Sequence, residues 1–168
     1  MIGDVHIRTA DGADMGALFS PASAGPAPGI VVLHEIFGRT DFLRTRLDLF
    51  NARGYAAMAP DLYHRISPGA AFDYSGDDWA RAFDARNRLD DDLAVDDVGA
   101  SIAALRGRPE CTGKIVVVGY CLGGLLAFLS AARNKAEANV CFHGVRLEQR
   151  LDVAKAINGP LQIHFAGR

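Results

Sequence analysis

The stretch from Lys114 to Gly124 constrains the fold of this chain more tightly than any other. Lys114-Ile-Val-Val-Val118 is a β-branched apolar run with no polar alternation, the pattern of a strand covered on both faces. Leu125, Phe128, Leu129 and Ala132 follow at i, i+3, i+4 and i+7, the spacing of one helix face. Between the two lies Gly119-Tyr-Cys-Leu-Gly-Gly124. A strand that passes into a helix within so few residues needs a sharp turn. Glycines allow neighbouring backbone to come close there, and the residue at the apex, here a thiol, stays accessible.

The rest of the chain repeats this alternation. Val5–Thr9 and Met15–Ser20, separated by Asp11-Gly12, read as an opening hairpin. A small-residue Pro/Gly/Ala loop leads to the strand Gly29–His34. A helix over Asp41–Arg53 follows, with Phe42, Leu43, Leu47, Leu49 and Phe50 as its apolar positions and Gly54 as its stop. Tyr55–Ala59 is a strand ended by Pro60-Asp61. Leu62–Asp78, rich in Gly, Pro, Ser and Asp, reads as a surface excursion. Trp79–Arg106 is mostly helical, with Leu89, Leu93, Val98, Ile102 and Leu105 facing inward. A strand over Asn139–Phe142, a short helix around Leu147–Ala156 and a last strand over Leu161–Phe165 complete the chain. Short apolar strands alternating with helices predict an α/β protein, a mainly parallel sheet covered by helices on both faces, as a single domain over residues 1–168.

The 168 residues are 49% hydrophobic and 23% charged with a net charge of −2, which is ordinary for a soluble globular domain. No basic block or basic amphipathic stretch predicts nucleic-acid or membrane-surface binding. No apolar run is long enough to span a bilayer, and the N-terminus lacks the basic-then-apolar pattern of a signal peptide. Three irregularly spaced cysteines fit a reducing cytoplasm better than a disulfide framework.

In such a sheet, reactive groups gather at the carboxyl ends of the strands. His34-Glu-Ile-Phe-Gly38, Asp61, Cys121, His143-Gly144 and Gly167-Arg168 are predicted to share that rim. The G-x-C-x-G turn there resembles the nucleophile elbow of the α/β-hydrolase fold, with cysteine in place of serine. A thiol is nucleophilic only as thiolate, and the start of a helix favours that charge. The Leu122 N–H, just past the nucleophile, and the Ile36 N–H, from the loop after the first parallel strand, are the expected oxyanion donors. The competing reading of Cys121 is a small buried hydrophobe, the usual state of a free cysteine.

Gly119-Tyr-Cys-Leu-Gly-Gly124, His34-Glu-Ile-Phe-Gly38, Gly54-Tyr-Ala-Ala57 and Ala59-Pro-Asp-Leu-Tyr63 together resemble the dienelactone hydrolase (carboxymethylenebutenolidase) family, in order and along essentially the whole chain. The resemblance implies hydrolysis of an enol-lactone or related carboxylic ester through a thioester on Cys121. It also implies that Glu35 takes the thiol proton when substrate arrives, a role that suits a carboxylate whose pKa is raised by burial. The triad acid and histidine of the family have no matching residue here and are expected beyond Arg168. The last strand and helix of the fold are expected to be missing with them, so the chain resembles the N-terminal two-thirds of a family member.

The other candidates have plainer readings. His143, at the rim beside the elbow strand, is the one histidine that could approach Cys121. His34 is expected to support the loop carrying Glu35, and His6, His64 and His164 carry no predicted role. Asp90, Asp91, Asp92, Asp96 and Asp97 read as a solvated helix face and N-terminal turn. Cys111 and Cys141 lack zinc-ligand spacing, and no dinucleotide or phosphate-binding loop is present. No cofactor or metal is expected. The expected partner is a small lactone or ester, and the chain is expected to be a monomer or to dimerise through an open sheet edge. Two further readings stand beside the hydrolase one: a catalytically incomplete remnant, and a binding protein that keeps the thiol and its pocket.

Overall fold

The computed structural model describes residues 1–165 and 167. Its centre is one seven-stranded sheet: β1 (Gly3–Arg8), β2 (Asp14–Ser20), β3 (Ala27–Leu33), β4 (Ala56–Pro60), β5 (Cys111–Tyr120), β6 (Ala138–Phe142) and β7 (Leu161–His164). Their order across the sheet is β1-β2-β4-β3-β5-β6-β7. β1 pairs with β2, and β2 with β4, antiparallel, and every later pairing is parallel. The α-helices among the described residues are α1 (Asp41–Asn51), α2 (Asp77–Arg88), α3 (Asp91–Arg106) and α4 (Leu122–Arg133).

The unbroken apolar runs find their explanation in two cores. Val31, Leu33, Ile115 and Val117 point to one face, where they meet Val98, Ile102 and Leu105 of α3 and Leu122, Leu125 and Leu126 of α4. Ile30, Val32, Val118 and Tyr120 point to the other face, against Leu43 and Leu47 of α1. A strand buried on both sides cannot afford an alternating polar residue, so these strands read as continuous apolar runs. None of the described helices is long and apolar enough to cross a membrane.

Several expectations change in detail. The predicted helix over Trp79–Arg106 is two helices, broken at Leu89-Asp90. The Asp90 carboxylate caps α3 by accepting from the Asp92 and Leu93 N–H groups at 2.9 and 3.1 Å. Leu93, in that first turn, is consequently exposed, as is Leu49 on the outer face of α1. The segment Leu147–Ala156 forms two short 3₁₀ turns. Asp97 is not solvated: it is buried, with Arg65 Nη atoms at 2.5 and 3.0 Å and His64 Nε2 at 3.1 Å. Ala166 and Arg168 lie outside the described residues, so the expected place of Arg168 at the rim is not described.

The excursion after β4 is anchored more firmly than its composition predicts, since Leu62, Tyr63 and Phe72 are buried. The Asp61 carboxylate accepts from the Tyr63 N–H at 3.1 Å and the Gly69 N–H at 2.6 Å, which curls the segment back on itself. A one-residue bridge pairs Gly38 with Ala71. The Arg39 N–H donates to the Ala70 carbonyl at 2.8 Å and the Phe72 N–H to the Phe37 carbonyl at 2.9 Å. Gly38 has φ 77°, and a Cβ there would lie 2.2 Å from the Ala70 oxygen, so this docking needs glycine.

Candidate active site

Cys121 stands between the end of β5 and the first turn of α4, with φ 53° and ψ −109°. This backbone conformation is costly for a side chain with a Cβ, and such strain persists only where the surroundings enforce it. Here both sides enforce it. The Cys121 N–H donates to the Phe142 carbonyl at 3.0 Å, and its carbonyl accepts from Leu125 N–H at 3.1 Å and Val145 N–H at 3.4 Å. The flanking glycines allow the turn to close: a Cβ on Gly119 would lie 1.8 Å from the Gly123 oxygen, and one on Gly123 would lie 2.4 Å from the Leu33 oxygen. The sharp elbow read from the sequence is present, and its glycines answer to backbone atoms of α4 and β3.

The thiol is half-buried. Burial pushes its pKa up. The Leu122 N–H pulls it down, the Glu35 carboxylate pushes it up, and the Ile36 N–H and Arg86 pull it down, with the raising influences winning. The free thiol is therefore protonated at neutral pH. The amides of Leu122 and Ile36, drawn from α4 and from the loop after β3, both face the sulfur, so the two predicted donors are brought together at the predicted nucleophile. Cys141, by contrast, is fully buried in β6, and burial pushes its thiol up to about 12.

The loop carrying Glu35 and Ile36 is held by buried polar side chains. His34 is buried, and its Nε2 accepts from the Leu62 N–H at 3.2 Å. That leaves Nδ1–H to donate to the Glu35 carbonyl, 2.6 Å away. Burial lowers the His34 pKa, so the ring is neutral and bridges the loop to the excursion. The Tyr63 hydroxyl donates to the Ile36 carbonyl at 3.0 Å, which fixes the peptide plane next to the Ile36 N–H. The Glu35 side chain is half-buried and accepts at Oε2 from the Tyr74 hydroxyl at 3.0 Å.

A cavity of about 140 Å³ opens beside the thiol, walled by Ile36, Phe83, Arg86, Asn87, Val145 and Arg146. Arg86 is braced by Asp91, with contacts of 3.0 and 3.2 Å. Arg146 has φ 57°, an uncommon conformation for a non-glycine residue, at the turn after β6. A larger open depression of about 400 Å³ lies between the excursion and α2 at Ile66, Phe72 and Arg81, away from the thiol. Sequence reasoning missed Tyr63, Tyr74, Arg86 and Arg146. The tyrosines lie in the stretch read as a surface excursion, and the arginines sit on elements whose facing a single sequence does not disclose.

His143, the histidine that could approach the thiol, is exposed at the rim, with its ring 6.5 Å from Tyr120 and its N–H donating to the His164 carbonyl at 2.8 Å. The groups that act most strongly on the Cys121 thiol include no histidine. Among the described residues, no cluster of three or more His, Cys, Asp or Glu side chains could hold a metal ion.

Comparison with known proteins bears on the family and the fold. The carboxymethylenebutenolidase of Pseudomonas putida is 38% identical over 165 residues, an alignment covering 98% of this chain and 70% of that protein. Carboxymethylenebutenolidase 1 of Cupriavidus pinatubonensis is 34% identical, over 98% of this chain and 71% of its own length. Among solved structures, a Klebsiella pneumoniae protein assigned to the dienelactone hydrolases superposes with a TM-score of 0.78 at 19% identity, over 100% of this chain and 85% of that one. An esterase from Pyrococcus furiosus gives 0.71 at 17% identity, over 97% and 70%. These last two likenesses show the fold alone, which is that of the α/β-hydrolases. Residues 15–168 match the dienelactone hydrolase family, and the chain belongs to that family of lactone and ester hydrolases.

Proposed function

We propose that this chain opens an enol-lactone or related carboxylic ester through covalent attack by Cys121. The observation that carries the reading is the convergence of the Leu122 and Ile36 amides on the Cys121 sulfur at the floor of a small cavity. A carbonyl carbon brought to the sulfur would place its oxygen within reach of the same two N–H groups, where charge develops in the tetrahedral intermediate. Glu35 takes the thiol proton as the thiolate attacks. The intermediate collapses with cleavage of the ester C–O bond, the enolate leaves, and the acyl group remains as a thioester on Cys121. In a lactone the departing enolate stays tethered to the acyl chain, and it regains a proton there. Water then cleaves the thioester.

Mixing the chain with an activated aryl ester and following intact mass tests the reading. One acyl adduct per chain on Cys121, absent in Cys121→Ala, is expected. Absence of an adduct on Cys121, or ester cleavage that is indifferent to Cys121→Ala, would refute it.

A further inference from the structure

The excursion lines no part of the cavity, yet it delivers a hydroxyl to the carboxylate beside the thiol. The Tyr74 ring packs on Phe37 with centroids 4.3 Å apart, Phe37 on Trp79 at 5.2 Å, and Trp79 on Phe83 at 5.6 Å. This aromatic row runs from the Glu35 carboxylate to the cavity wall beside Cys121. Tyr74 itself is 52% exposed, more than its contacts in a core would allow, yet its hydroxyl is directed inward onto Glu35 Oε2. The bridge between Gly38 and Ala71 fixes the backbone three residues upstream of Tyr74 to the backbone three residues downstream of Glu35.

We propose that Tyr74 is a positioning residue that sets how strongly Glu35 acts on the Cys121 thiol. Holding Oε2 ties the carboxylate to the excursion, so it is less able to accept a hydrogen bond from the S–H and lock the sulfur in its protonated form. This proposal rests on the reading of Glu35 as the thiol's partner carboxylate and deepens it. The other groups facing this sulfur are Arg86 of α2 and, among titratable hydroxyls, Tyr63 of the excursion, while Arg146 lines the same cavity. Tyr120 at the end of β5 also feels the Glu35 charge. Burial raises the Tyr74 pKa, the Thr40 hydroxyl opposes this, and the Glu35 charge and hydrogen bond add to the rise. The phenol is thus a donor throughout the neutral range.

The test is the pH profile of Cys121 alkylation by iodoacetamide, resolved from Cys111 and Cys141 by peptide mass spectrometry, in the wild-type chain, Tyr74→Phe, Glu35→Gln and the double variant. Phenylalanine keeps the ring on Phe37, and equal thermal midpoints would confirm that the fold is retained. Tyr74→Phe is expected to raise the midpoint by roughly half to one pH unit, about three- to tenfold slower alkylation below it. Glu35→Gln is expected to lower the midpoint, and adding Tyr74→Phe to it should change nothing further. A midpoint that Tyr74→Phe leaves unchanged or lowers, or raises equally in the Glu35→Gln background, overturns the proposal while Glu35 keeps its role. A midpoint indifferent to Glu35→Gln overturns both.

Discussion

The backbone of Cys121 predicts an unusual stability ranking of two variants. At φ 53° and ψ −109° it lies outside the left-handed basin, which centres near ψ +47°, in a region glycine occupies readily and other residues do not. Holding a non-glycine residue in so sparse a region costs about 1–3 kcal/mol. Cys121→Gly removes that cost, but glycine also has more freedom to lose on folding, which takes back about 0.5–1 kcal/mol. The comparison must be made with Cys121→Ala, because both variants lose the half-buried thiol and only alanine keeps the Cβ. Cys121→Gly is therefore expected to be more stable than Cys121→Ala by about 1 kcal/mol, within a span of about 0–2.5 kcal/mol, which for a chain of this length is a few degrees in Tm. Urea unfolding followed by circular dichroism measures the difference, provided the slopes agree. Greater stability of Cys121→Ala would refute the claim that the elbow is strained.

Three other outcomes follow from the same geometry. A Cβ at Gly123 meets the Leu33 backbone oxygen at 2.4 Å with no flexible side chain to yield. Gly123→Ala should cost about 3 kcal/mol or more, the upper end of overpacking effects, whereas Gly3→Ala, with nothing within 4 Å, should stay within about 0.5 kcal/mol on denaturant titration. Tyr63→Phe strips the Ile36 carbonyl of its buried donor and should cost about 1–3 kcal/mol in the same titration. It should also slow acylation of Cys121 by an activated ester, because the neighbouring Ile36 amide loses its fixed orientation. At Asp97, burial raises the pKa, but hydrogen bonds and charge from His64 and Arg65 outweigh it and hold the carboxyl below its ordinary 3.8. A depressed folded pKa stabilises above the unfolded value and ceases to do so as pH falls through the folded one. Asp97→Asn should thus cost about 2–3 kcal/mol at pH 7, the low end for a broken buried pair because Arg65 keeps Asp11, and the gap from wild type should shrink below about pH 4 in urea titrations. A gap that does not change with pH would refute this.

The elements that bury themselves by pattern were legible in the sequence. Ile30–Leu33 and Ile115–Val118 announce strands covered on both faces, and the elbow between Val118 and Leu125 needs no more than local glycine chemistry to be recognised. The two amides that face the Cys121 sulfur were legible too, Leu122 from the turn itself and Ile36 from the loop after the first parallel strand. What stayed hidden depends on pairings far apart in the chain. Asp97 reads as one more carboxylate in an acidic helix until Arg65, 32 residues earlier, comes to rest on it. Leu93 fits an inward stripe only if α2 and α3 are one helix, and the cap at Asp90 resets the phase. The hydroxyls of Tyr63 and Tyr74 acquire their partners because the excursion folds back onto the loop after β3, and its Gly- and Ser-rich composition carries no sign of that return.

The bridge from Gly38 to Ala71 has a consequence for how such a protein can diversify. The excursion, which lines no part of the cavity itself, is fastened to the loop that bears Glu35 and the Ile36 amide. Insertions or exchanges within 70–74 would shift the Glu35 carboxylate and the Ile36 amide, and with them the acidity of the Cys121 thiol, without touching the cavity wall. Change of specificity is then channelled toward walls that are free of this fastening, such as Phe83 and Arg86 on α2 and Arg146 after β6, while the fastened segment evolves slowly.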